Sequence, residues 1–230
     1  MLEFDPASHT YKNPVTNEKY LSATTLIGKF KKPFELEKMS KLVADREGVS
    51  QDEIKERWKT VNKQACDYGS SIHLVMENWL HDKDITSEEK KLYTDPIERI
   101  WQPDRSKIEP EKKLWLHEYK IAGTTDVYET QGKYFNLFDF KTNKKFTFTN
   151  QYGDYMLDPL SHLPACEFST YALQLSLYAY MQSCLSGQKV GELACYYYDR
   201  DEKSWVKHNT PYLKLEVLAM LEAWKSKNSK

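Results

Sequence analysis

The chain has 230 residues and a mass of 27.1 kDa, and its 33 Lys and Arg against 34 Asp and Glu give a formal net charge of −1. A composition that is 40% hydrophobic, 13% aromatic and 29% charged belongs to a globular protein and excludes a disordered or fibrous chain. Near neutrality excludes a generally basic nucleic-acid coat, so any contact with nucleic acid must rest on positive charge that is local.

The predicted elements run as follows. Phe4 to Tyr20 reads as short β-hairpins, with turn signals at Asp5-Pro6 and Asn13-Pro14. Ser22-Ala23-Thr24-Thr25 offers N-caps for a short helix through Phe30. Helices are expected over 34–48 and 51–81, the second opened by Ser50 with Glu53 three residues on, a capping-box pattern. In that helix Ile54, Trp58, Val61, Ala65, Ile72, Met76, Trp79 and Leu80 recur at about helical spacing. Another helix is expected from Ser87 to about Trp101. After Pro110 the texture changes to β alternation, over Leu114–Glu129 and Lys133–Lys141, with turn signals at Ala122-Gly123 and Gln131-Gly132. Residues 142–165 are loop-like, Glu167–Ser186 is helical, and Glu192–Arg200 and Ser204–Lys207 read as strands. Leu213–Lys227 is a last helix.

This order predicts an α/β (α+β) fold with a central mixed sheet flanked by helices. A single domain over 1–230 is expected, with a mainly helical flank over 1–110, a sheet core over 111–210 and a C-terminal helix over 211–230. Cys66, Cys166, Cys184 and Cys195 form no CxxC pair, so neither a zinc site nor a disulfide framework is expected. No apolar run reaches the ~18–20 residues of a membrane span, and Met1-Leu2-Glu3-Phe4-Asp5 lacks the regions of a signal peptide. A soluble, cytoplasmic protein without a membrane partner is the expectation.

Four short patterns carry chemistry. Gly123-Thr124-Thr125-Asp126 precedes Phe138-Asp139-Phe140-Lys141. Strand alternation points Asp139 and Lys141 to one side and Phe138 and Phe140 into the core. Two carboxylates converging from paired strands suit Mg²⁺ or Mn²⁺, and a lysine beside them can position water or stabilise phosphate charge. Gly69, His73 and Glu77 share one helix face, where His73 can ligate a metal; Gln174 and Tyr178 share another. Alone, each pattern has an ordinary alternative: an exposed strand face, a histidine bonded within a helix bundle, an amphipathic helix.

Together and in this order, Gly69…His73…Glu77, Gly123-Thr-Thr-Asp126, Asp139-Phe-Lys141 and Gln174…Tyr178 resemble the RecB-like branch of the PD-(D/E)XK nuclease superfamily. The stretch Tyr20 to Thr25 is similar to the mitochondrial genome maintenance exonuclease group, as are phage relatives around Asp139 to Thr142 and Tyr171 to Met181. The resemblance spans about residues 20–200. It implies a restriction-endonuclease-like core and a metal-dependent DNA nuclease, an exonuclease on single strands or DNA ends in replication, recombination or repair. Asp126, Asp139 and Lys141 are the implied catalytic residues. His73, Asp126, Asp139 and the Phe140 main-chain carbonyl are the implied ligands of one or two Mg²⁺ or Mn²⁺ ions. Gln174, Tyr178, Ser22, Thr24 and Lys144 are implied substrate contacts, with Glu77 and Glu118 as weaker candidates. The cysteine spacing departs from the iron–sulfur members, so no cluster is expected, and the absence of a P-loop leaves any helicase or recombinase partner on a separate chain. Basic residues at Lys144-Lys145, Lys29, Lys31 and Lys32 would meet phosphate, and Tyr152, Tyr155 and Trp79 are candidates for base stacking or, individually, for core packing. The competing functions are a non-catalytic DNA-binding module on the same fold, an endonuclease, and another phosphoester enzyme; the last is weakened by the lack of a phosphate-cradling Gly-rich loop.

Overall fold

The computed structural model describes residues 2–5 and 10–228. Three short strands, β1 (Glu3–Asp5), β2 (Thr10–Lys12) and β3 (Lys19–Ser22), form an antiparallel meander. Of the expected Asp5-Pro6 turn, Pro6 lies outside the described residues. Helix α1 (Ala23–Gly28) follows at once, its first turn capped by Ser22, whose Oγ accepts from the Thr25 amide at 3.1 Å. Helices α2 (Leu36–Glu47) and α3 (Gln51–Leu80) make a hairpin, and Ser50 caps α3 by accepting from the Glu53 amide.

The central strands are β4 (Ile108–Leu116), β5 (Ile121–Gln131) and β6 (Tyr134–Lys141), an antiparallel meander. The buried helix α6 (Glu167–Ser186) crosses over to β7 (Lys189–Asp199), which lies parallel to β6, and β8 (Ser204–Asn209) closes that side. Helix α7 (Lys214–Asn228) ends the chain. The result is one mixed sheet in the order β1-β2-β3-β5-β6-β7-β8, with β4 paired to β5 alone. Helices α1, α6 and α7 pack one face through Leu26, Leu137, Leu173, Leu177 and Leu221; α3 and the segment before β4 pack the other through Ile72, Met76, Phe138, Phe140 and Tyr196. Both Phe138 and Phe140 enter this second core, as alternation predicts. No helix among the described residues is long and apolar enough to cross a membrane.

Three expectations need correction. First, Gly123 is no turn residue: the β4–β5 turn falls at residues 117–120, and Gly123 lies inside β5. Second, the helix expected over 87–101 is broken into α4 (Ser87–Glu89), a π turn (Lys90–Thr94) and α5 (Asp95–Glu98). Pro96 has no amide to give Leu92, and the Tyr198 hydroxyl donates to the Leu92 carbonyl instead, at 3.1 Å. Third, the middle of α3 is bare. Ile54 is buried near its start and Ile72 to Leu80 near its end, but none of the residues from Lys55 to Ser71 is buried, and Val61 is 58% exposed. Trp58 meets the Phe34 ring, but beyond it the apolar spacing continues through exposed Val61 and Ala65.

Tyr196 and Tyr198 are both buried on β7 against the second core. Tyr198 is bonded as described, whereas the Tyr196 hydroxyl has no hydrogen-bond partner among the described residues. Tyr198→Phe is expected to cost about 1 kcal/mol, and Tyr196→Phe to leave stability unchanged or raise it by up to about 1 kcal/mol. Urea unfolding of the two single variants reads the contrast.

Candidate active site

The ladder between β5 and β6 ends at the pair Val127–Phe138. One step further, Asp126 and Asp139 stand across from each other. Asp126 turns its carboxylate to the continuing strand, and Oδ2 accepts the Phe140 amide at 2.6 Å. On the opposite edge of β5, the pairs Pro110–Val127 and Lys112–Thr125 put Glu111 across from Asp126. Glu111 has φ +51°, a left-handed conformation that interrupts the β4 ladder at this one position. Glu111, Asp126 and Asp139 therefore form a row of acids across three neighbouring strands.

Helix α3 brings the histidine. Three contacts dock its last third beside the end of β6. Gly69 lets the helix approach so closely that an added Cβ would lie 3.1 Å from Thr142 Oγ1. The Arg200 guanidinium lies 3.8 Å from the centre of the Tyr68 ring and donates from Nε to the Thr142 carbonyl at 3.0 Å. The His73 ring meets Phe140 edge-on, and its Nδ1 lies 3.3 Å from Asp126 Oδ2. His73, Glu111 and Asp126 each place a ligand atom within 4.8 Å of the other two. One imidazole nitrogen and two carboxylates are a donor set for a hard divalent cation.

Lys141 forms an ion pair with Asp139 Oδ2, a buried oxygen that receives a hydrogen bond from no other group among the described residues. The ammonium also donates to Gln174 Oε1 at 3.3 Å and sits 4.5 Å from the centre of the Tyr171 ring. Gln174 Nε2 donates to the Tyr178 hydroxyl at 3.3 Å. The Tyr178 ring lies flat on β5 at Gly123, where a Cβ would come within 2.3 Å of its Cε1. This is why a glycine stands inside a strand.

Crowded charge shifts every group. Burial and the Asp126 charge push Asp139 up to about 6, against the pull of Lys141. Burial, then Asp126, raises Glu111 to about 8. Burial alone would raise Asp126, but His73, Lys141 and the Phe140 amide hold it below the usual carboxylate range. Burial opposes charge on His73, yet Asp126 lifts it to about 9. Burial likewise opposes charge on Lys141, and Asp139 and Asp126 overcome it and keep the ammonium protonated.

Asp126, Asp139, Lys141, His73, Gln174 and Tyr178 thus meet at one end of the sheet. The three-residue ligand cluster does not include Asp139, whose Oδ2 pairs with Lys141. Phe140 contributes its amide to Asp126. Glu77, one turn beyond His73, is near enough for its charge to act on Glu111. Ser22 caps α1 and bonds Thr25 and Thr24, and it pairs with Ala122 directly before Gly123. Lys144 is exposed three residues past Lys141. Two candidates lie away from the site, Trp79 taking the core-packing alternative rather than base stacking. Glu118 sits in the β4–β5 turn and pairs with Lys225 of α7 at 2.6 Å, away from the row of acids. Trp79 is a buried core residue, stacked edge-on against Trp101.

Glu111 escaped the sequence reading. Pro110 beside it reads as a break, but β4 is an edge strand, where proline is tolerated. The available signal was register: an acid fifteen residues before Asp126, across a hairpin.

No family model and no curated protein matches the chain. Among solved structures it is similar to one described as "Crystal structure of SSO0001", with 12% identity, 91% of this chain and 76% of that chain covered, and a TM-score of 0.41. A likeness of that size carries no weight for fold or activity.

Gly123→Ala is expected to drive Tyr178 off the strand, break its bond with Gln174 and cost about 1–3 kcal/mol as overpacking. Combined with Tyr178→Ala, which removes the clashing ring, the glycine substitution should cost much less. A double-mutant cycle in urea measures the difference.

Proposed function

We propose that this chain is a Mg²⁺- or Mn²⁺-dependent deoxyribonuclease of the PD-(D/E)XK kind, an exonuclease acting on single strands or DNA ends. The observation that carries the reading is the row Glu111–Asp126–Asp139 across β4, β5 and β6, with His73 at its middle and Lys141 at its end. The mixed sheet with helices on both faces supports the core that the motif order implies.

The residues present fit a divalent cation. His73, Glu111 and Asp126 would hold it, and the Asp139 oxygen paired with Lys141 lies on the next strand. When bound, the ion supplies Lewis-acid charge that neutralises a phosphodiester and acidifies a water. The chain's own residues do the positioning. Asp139 and Gln174 grip the Lys141 ammonium from two sides. Held charged, Lys141 is suited to orient an attacking water and to stabilise negative charge on the phosphate, rather than to act as a base. Tyr178 and Gln174 fix the lysine against β5. A helicase or recombinase working with such a nuclease would be a separate chain.

End-labelled linear DNA is expected to be degraded with Mg²⁺ or Mn²⁺ and to survive in EDTA, while a covalently closed circle persists. Asp126→Asn, Asp139→Asn and Lys141→Ala should each lower the rate by about 10²-fold or more. Glu111→Gln should raise the metal concentration needed for half-maximal rate by about 10-fold or more. Wild-type protein that cleaves no DNA with either metal sinks the reading, and DNA binding that gives no product even with Mg²⁺ or Mn²⁺ present would indicate a non-catalytic module.

A further inference from the structure

Beyond the acids and Lys141, a line of aromatic rings leads outward to the surface. Tyr171 lies under Lys141. Phe146 follows with its centroid 5.6 Å from Tyr171, then Phe148 at 5.4 Å from Phe146, and Phe168 at 5.0 Å from Phe148. His208 stacks on Phe146 at 4.3 Å and backs the row from β8. The inner rings are half-buried, but Phe148 is 52% exposed.

The loop that presents Phe148 is anchored. The Tyr171 hydroxyl donates to Asn143 Oδ1 at 3.0 Å, the Tyr197 hydroxyl donates to the Lys144 carbonyl at 3.3 Å, and the Phe168 amide donates to the Thr147 carbonyl at 3.0 Å. Lys144 and Lys145 stand exposed on the same loop, and neither forms an ion pair among the described residues. An exposed ring on a fixed support beside two uncommitted ammonium groups is unusual for packing alone. It has the makings of a stacking platform for an unpaired base, with lysines for the flanking phosphates.

We propose that Phe148, with Lys144 and Lys145, forms a subsite that holds single-stranded DNA leaving the Lys141 site, one base stacked on the Phe148 ring. The proposal rests on the nuclease reading for its direction, but not for its chemistry. The platform takes a base that is unstacked from its neighbours, so it selects single strands over duplex. The row of rings makes the subsite continuous with Lys141.

The test is fluorescence anisotropy of a labelled oligo-dT, with the full chain in EDTA so that no strand is cut. Phe148→Ala should weaken binding by about 5- to 100-fold, and Phe148→Trp should restore it. On a strand of the same length made of abasic sites, wild type and Phe148→Ala should bind alike. Removing Lys144 and Lys145 should weaken both strands and flatten the salt dependence by about 0.7 in slope for each lysine. Wild-type affinity in Phe148→Ala, an equal loss on the abasic strand, or no binding by the wild type would each overturn the proposal. Phe148-dependent binding without metal-dependent cleavage would sink the nuclease reading and leave the subsite standing. Cleavage with Phe148-independent binding would do the reverse.

Discussion

The candidate site depends on where the sheet stops pairing. On one edge of β5, β3 takes Ile121 and Ala122 and β6 takes Val127 onward, while β4 fills the other edge. Gly123 to Asp126 are left between β3 and β6 without a ladder partner. The Asp126 carboxylate bridges that window by accepting the Phe140 amide, so a side chain does what a backbone carbonyl would do in a regular sheet. The same oxygen meets His73. One acid therefore sets the spacing of β5 and β6 and the seat of α3.

The acids gathered around this window are more than the site can keep ionised. Glu111 and Asp139 both rise while Asp126 falls, which is how neighbouring carboxylates share limited compensation in a buried place. Lys141 and His73 supply positive charge, yet Asp139 keeps a buried oxygen with the lysine as its only companion among the described residues. Such an arrangement is a poor way to stabilise a fold. It is a sensible one for a place that receives a cation and then a phosphate.

Much of this was legible in the chain. Alternation through Phe138-Asp139-Phe140-Lys141 gave the right faces, the i to i+4 spacing of Gln174 and Tyr178 gave one bonded pair, and Ser22 and Ser50 marked true helix starts. What could not be read was set by tertiary neighbours. Gly123 looked like a turn because its cause is the ring of Tyr178, 55 positions away. Glu111 was hidden by Pro110 and by a backbone conformation that spacing does not reveal. Glu118 looked close in sequence, but the turn at 117–120 points it to α7. The apolar period of α3 continued through residues with nothing to cover them.

That bare middle of α3 has a mechanical meaning. The first turns of the helix lean on α2 through Lys55–Glu37 and Arg57–Glu47 and on Phe34 through Trp58, but from Lys59 to Asp67 every residue is exposed and, among the described residues, the side chains pair only along the helix, as in Lys63–Asp67. Such pairs are screened by solvent and stiffen the helix little. The stretch is a spar about 13 Å long at ~1.5 Å per residue, joining the α2 hairpin to the clamped turn of Tyr68, Gly69 and His73. A bend of ~10° there would move the α2 end of the arm by several ångströms, given the ~1.5 Å rise per residue back to Gln51. The clamp lies on the other side of such a bend, so the histidine would keep its place.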